Sequence, residues 1–324
     1  FNLVPDQIIF NKIALNYSDS AYYLQLACDS LQFKSGNINA ELSVIENEIN
    51  IPKWTFMGQF DPSEMTADIK WYSENHRVQI PYLKSKYKLF FGFDTAHFIV
   101  NKIDFVNNEL NFNGEAGFKN LLADHFRISK DTLGFQKLSL QFNICLNSEF
   151  LYLDSNSTAI VNDVKLHPFL QFPLSKNKVY GIDLVMEETS ASSFFNALPK
   201  GLFQTLKGVE CSGNLSYRFH LKIDDKDIEN VEFTSKLTRH NFKLLKYGET
   251  NLSKMNSEFT HYVYENGNLL RSFPVGPSHG YFTPFDQVPQ NLINSILVNE
   301  DPSFFYHNGF IPEAIRESIA ENYR

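Results

Sequence analysis

The chain has 324 residues, 43% of them hydrophobic and 20% charged, enough for roughly two domains and a sizeable buried core. Its net charge of −8 argues against a nucleic-acid partner, whose affinity comes largely from Lys and Arg at phosphates, and against electrostatic docking on anionic lipid. It contains no apolar run of the roughly 18 residues that would mark a membrane-spanning helix, and no recognisable signal peptide.

Two further features of the composition matter. Phe (31) and Tyr (15) far outnumber Trp (2) and Met (4), a bias that suits pleated, half-buried surfaces and leans towards β structure. Cys28, Cys145 and Cys211 are too far apart, and odd in number, for a disulfide framework or a metal spacing, and are expected to be small core residues. The chain opens at Phe1 inside an alternating pattern and closes at Arg324 inside a helical one, so it is expected to be a piece of a longer protein.

Taken in order, most segments read as strands. Residues 31–42 alternate on both sides of Ser35-Gly36-Asn37, a hairpin signal, and residues 98–112 repeat the scheme around Asn107-Asn108. Residues 217–237 alternate through Tyr217, Phe219, Leu221 and Ile223, break at 224–227, and resume with Val231, Phe233 and Leu237. Residues 262–273 give another hairpin around 265–268. Each run has one apolar and one polar face, as in antiparallel sheets, and no helices of 10–15 residues alternate with the strands, which argues against a doubly wound α/β fold. The expected fold is mainly β: a large antiparallel meandering sheet with short helices.

The helical interruption is 190–208, SASSFFNALPKGLFQTLKG, broken at Pro199, with a second turn expected from Gly201 to Lys207 that ends at Gly208. Its apolar side reads as a plug for one end of a sheet. The run 192–224, SSFFNALPKGLFQTLKGVECSGNLSYRFHLKID, resembles the AsmA-like family of bacterial envelope proteins. The resemblance covers roughly 90–240 and implies antiparallel sheets curled into an apolar groove, associated with lipid transport or envelope homeostasis. It carries no catalytic motif.

Composition shifts near 271–288, where prolines and aromatics form a semi-rigid connector. The expected organisation is a β region over 1–160, a second over 161–270 with the helical insertion, the connector, and a separate start of a domain over 289–324. There, Pro289 opens a helix with Leu292, Ile293, Ile296 and Leu297 on one face, and Pro312 opens another with Ile311, Ile315, Ile319 and Tyr323 every four residues.

Between them lies NEDPSFFYHNGF, 299–310. By its residues alone it suits an ordinary polar corner, since Asp-Pro and Asn-Gly both favour turns. Yet Glu300, Asp301, Phe304, His307 and Gly309 reproduce E-D-x-x-F-x-x-H-x-G, which resembles the first motif of the peptidoglycan glycosyltransferases, glycosyltransferase family 51, the lysozyme-like domains of penicillin-binding proteins and their monofunctional relatives. The likeness covers only about 272–324.

It implies a two-helix start of a lysozyme-like α domain and an enzyme that polymerises lipid II by inverting glycosyl transfer. In that enzyme Glu300 is the general base, Asp301 supports hydrogen bonding, and Phe304, His307 and Gly309 are framework. It further implies a periplasmic, membrane-anchored parent. No cofactor is expected within these residues, though a complete domain can take a divalent metal. The family's Gly-Gly-Ser-Thr segment, second glutamate and diphosphate-binding cations do not occur in the 324 residues, so this chain alone is expected to be inactive.

Two other readings stand beside the enzyme: a β module that binds lipid or an envelope protein, and a structural spacer. The nine histidines include no metal-ligating pair at i+2, i+3 or i+4, and His240 and His261 read as surface residues.

Overall fold

A computed structural model describes residues 7–19, 22–176, 178–203, 206–249, 252–307 and 309–323. Its contacts divide into two compact units. One runs to Gly248 and takes in the chain again from Arg316; the other is Glu249–Ile315.

The first unit is one 16-stranded antiparallel sheet. Its opening strands are β1 (Gln7–Asp19), β2 (Tyr22–Lys34), β3 (Asn37–Glu46), β4 (Ile49–Asp61) and β5 (Thr66–Tyr72). A short excursion follows through β6 (Val78–Gln79), helix α1 (Pro81–Tyr87) and β7 (Phe90–Phe93). The meander resumes with β8 (Thr95–Val106), β9 (Glu109–Asp124), β10 (Leu133–Leu146), β11 (Phe150–Leu153), β12 (Thr158–Val161), β13 (Val164–Pro173) and β14 (Val179–Ser190). Helix α2 (Ala191–Ala197) interrupts it before β15 (Val209–Asp224) and β16 (Glu232–Tyr247).

Neighbours in sequence are mostly neighbours in the sheet, but β5 pairs with β8, β7 folds back onto the end of β9, and β11 and β12 each pair with β10 and β13 rather than with one another. The position 160/161 falls between paired residues of the β12–β13 hairpin, and backbone pairing crosses it without a break.

The turn chemistry fixes the register. Ser35-Gly36 (φ +48° and +79°) and Asn107-Asn108 (+53° and +68°) are left-handed pairs closing two-residue hairpins, the geometry that matches strand twist. In-register pairing then lines apolar side chains into rows on one face. One row crosses ten strands: Phe10, Leu31, Ala40, Phe56, Trp71, Ala96, Phe118, Leu138, Val161 and Val164. Another runs Ile103, Phe112, Ile144, Leu153, Leu170, Ile182, Leu221 and Phe233.

Two buried clusters lie at the end of this face where the short helices sit. The first gathers Val44, Trp54, Val78, Phe93, Ala96 and Leu121, with Trp71 stacked on Phe56 at 5.3 Å and edge-on to Phe93 at 5.0 Å. The second packs Ala191 and Ala197 of α2 on Val164, Met186, Cys211 and Leu215. So α2 does plug the sheet. It stops at Ala197, capped at Leu198 ahead of Pro199; the second turn expected over 201–207 includes residues 204 and 205, outside the described residues. Towards the other end Phe98, Leu140, Phe142, Phe112 and Ile144 stay only half-buried. Cys28 and Cys211 are buried and free, whereas Cys145 is half-buried.

The second unit holds a one-turn helix α3 (Ser253–Asn256), the hairpin β17 (Phe259–Glu265) and β18 (Asn268–Val275), helix α4 (Gln290–Glu300) and the first turn of α5 (Pro312–Tyr323). Asn266-Gly267 closes the hairpin with another left-handed pair. The proline-rich stretch begins inside β18, where Pro274 sits opposite Thr260; a two-stranded sheet has only edges, so the missing N–H is tolerated. Pro289 stands at the cap of α4 rather than inside it, and Pro312 is the first residue of α5. The last turns of α5 belong to the first unit, where Tyr323 donates to Asp225 at 3.2 Å and meets the Tyr180 ring edge-on.

Candidate functional site

The corner between α4 and α5 brings together four of the five motif residues. Helix α4 ends at Glu300. The next residue, Asp301, leaves helical geometry (φ −155°, ψ 91°) while its N–H still closes the last turn on Leu297 O at 2.8 Å. One carboxylate oxygen of Asp301 accepts from the Ser303 N–H (3.1 Å) and hydroxyl (3.0 Å), an Asx-turn that starts the corner. The other faces His307 Nε2 at 2.7 Å. Nδ1 of the same ring accepts from the Gly309 N–H at 2.9 Å.

This chain of bonds assigns the tautomer. A ring nitrogen that accepts from a backbone N–H carries no proton, so Nδ1 is bare and Nε2–H donates to Asp301. Protonating His307 would set an N–H against an N–H and break the link to Gly309. Gly309 has φ +80°, the left-handed region that glycine enters freely, and open space where a Cβ would lie; the dihedral, not crowding, calls for glycine.

Burial pushes the Asp301 carboxyl up, but the donors from His307 and Ser303 outweigh it and hold the group below the usual carboxylate value. Beside these residues is an open cleft of about 500 Å³ lined by Asp301, Phe304, His307, Gly309, Phe310, Ile311, Ala314 and Ile315.

Glu300 is set apart. It is exposed at the last position of α4, does not line the cleft, and among the described residues its carboxylate has no hydrogen-bond or ion-pair partner. It also stands at the negative end of the helix dipole, where a stability-driven choice would be Lys or Arg. Phe304 meets Phe305 edge-on at 5.2 Å, and both rings are well exposed.

The residues read from the sequence thus separate into a locked set (Asp301, His307 and Gly309), a ring at the cleft (Phe304), and one unengaged carboxylate (Glu300). Sequence reasoning missed Ser303, although an Asp at a helix end with Ser two residues on is the Asx-turn signature. It also gave no site role to Ile311, just before α5, or to Ala314 and Ile315 at the start of that helix, which wall the cleft. Among the described residues, no group of three His, Cys, Asp or Glu side chains is placed to hold a metal ion.

The sheet carries its own polar clusters. Asp183, His220 and Glu232 line up across β14, β15 and β16, with His220 Nδ1 at 2.6 Å from Asp183 and Lys222 Nζ at 2.6 Å from Glu232. Lys222 and then His220 hold the Glu232 carboxyl below its usual range. Arg77 pairs with Asp94 at 3.1 Å beside a cleft of about 560 Å³. Each cluster is internally paired. His240 and His261 are exposed. Comparison with family models, with curated proteins and with solved structures returned no match.

Proposed function

We propose that residues 289–324 form the base-bearing segment of a peptidoglycan glycosyltransferase site that uses lipid II, within an envelope protein facing the periplasm and anchored to the membrane. The observation that carries this reading is the division of labour at the corner. Three motif residues are committed to hydrogen bonds that hold the turn, while Glu300 keeps an unengaged carboxylate at its rim.

A carboxylate so placed suits a general base. It takes the proton of the acceptor sugar hydroxyl as that oxygen bonds to the donor anomeric carbon. The bond from that carbon to the lipid diphosphate breaks on the opposite side, which inverts the centre. His307, locked as the Nε2–H tautomer, is framework and not a proton carrier. The diphosphate-binding cations that such a reaction needs are not present in the 324 residues, so the chain by itself is expected to form no glycan strands. The test is a graft: residues 289–324 replace the matching segment of an active family member, and lipid II polymerisation is assayed. Strand formation supports the reading; a folded graft that makes none contradicts it.

The β region supports a second reading of its own, as an acyl-chain groove. The rows through Phe98, Phe112, Phe142 and Ile144 lie on a continuous apolar face that the short helices leave half-exposed. Lipid co-purifying with the chain, and lost from Phe98→Asp, is the expected result. A wild-type chain that carries and binds no acyl lipid would leave a structural spacer as the reading.

A further inference from the structure

We propose that the tip built from residues 125–131 and 198–203 docks the protein on an anionic lipid bilayer. The β9–β10 loop and the segment after α2 form one structure. Lys200 and Gly134 exchange backbone hydrogen bonds (2.9 and 3.2 Å), and the Ser129 hydroxyl donates to Gly201 O at 2.7 Å. Gly201, at φ +89°, lies so close to Thr132 that any Cβ would overlap its carbonyl.

On this fixed base stand three large apolar side chains that pack poorly against the protein: Phe126 (69% exposed), Ile128 (59%) and Phe203 (53%). Between them are the exposed cations Arg127, Lys130 and Lys200, with Arg127 over the Phe126 ring at 5.7 Å. Within the two segments Asp131 is the only carboxylate to set against those three cations. A cleft of about 460 Å³ opens between the segments.

Exposed aromatics interleaved with Lys and Arg are what the headgroup zone accepts: rings enter the acyl boundary and cations stay with the lipid phosphates. The setting adds to this. Strand β7 pairs with the end of β9 (Phe90 opposite Asp124), so the end of α1, with exposed Lys84, Tyr87 and Lys88, lies beside the tip. The turn at the other end of the sheet carries Asp224, Asp225, Asp227 and Glu229. The net charge of −8 does not oppose docking at this end, because fields fade over about 8 Å in physiological salt and the membrane senses the local charge.

The tip is separate from the apolar rows, so a failure of the groove leaves it standing. The test is flotation of the 324-residue chain with phosphatidylcholine vesicles, with and without phosphatidylglycerol. Binding to the phosphatidylglycerol vesicles is expected to exceed that to phosphatidylcholine by about tenfold and to weaken with salt. Lys130→Glu/Lys200→Glu should abolish that preference, Lys130→Arg/Lys200→Arg should keep it, and Phe126→Ser/Phe203→Ser should lower binding to both vesicles. Absence of wild-type flotation, equal flotation with both vesicles, or full binding by the charge-reversed or serine variants with native circular dichroism would each overturn the proposal.

Discussion

Asp301 shows how one side chain sets the shape of a corner. It caps α4, seeds the turn through Ser303 and anchors His307, and these bonds all favour its ionised form. A carboxyl held below its unfolded value of about 3.9 contributes stability above that pH and loses it as the pH falls through the lower folded value. Carbon-13 titration of Asp301 should therefore give a midpoint below about 3.9, with the amides of Ser303 and Gly309 shifting in step. A midpoint at or above the unfolded value would remove Asp301 from the role of anchor. Gly309 makes a second, independent demand. Gly309→Ala should loosen the corner by about 1–2 kcal/mol, read from amide exchange over 301–309, and Gly309→Asn by less, since Asn tolerates the left-handed region better. Equal protection in all three would mean that the dihedral is not what fixes this residue.

At the scale of elements, close strand approach is the constraint that the alternating pattern conceals. A Cβ on Gly58 would overlap the Asp68 carbonyl of the neighbouring strand, and one on Gly114 would meet both the Ile99 carbonyl and the Phe142 ring. Gly58→Ala should lower the unfolding free energy of the sheet by roughly 1–3 kcal/mol, seen as a drop in the denaturation midpoint; an unchanged midpoint would show that the strands can part. The hairpins were legible because turn residues announce themselves locally: Ser35-Gly36, Asn107-Asn108 and Asn266-Gly267 all close turns where the alternation changes direction. The fold-back of β7 onto β9 was not, because four residues, FFGF, carry no partner information. The limit of α2 at Ala197 could be read from Pro199. The docking of residues 198–203 on the β9–β10 loop could not, since it rests on backbone bonds between segments far apart in sequence.

For the whole molecule, two kinds of physics share one chain. The sheet brings Phe56, Phe118, Phe112 and Phe233 into cross-strand rows, a result of register that no single strand specifies. The corner depends on local bonds within nine residues, and its place between two helices was legible from the Asp-Pro and Asn-Gly turn signals and the prolines that open each helix. What spacing could not show was the separation of Glu300 from its partners, because exposure and hydrogen bonding are properties of the folded turn. That separation is what the proposal of Glu300 as general base rests on. The direct measurement is single-turnover lipid II polymerisation by the grafted enzyme with Glu300→Gln, beside its melting temperature. The expected result is a rate lower by about 10²–10⁴ at an unchanged melting temperature. A rate within about threefold of the unsubstituted graft would contradict it, and would leave the corner as a turn and nothing more.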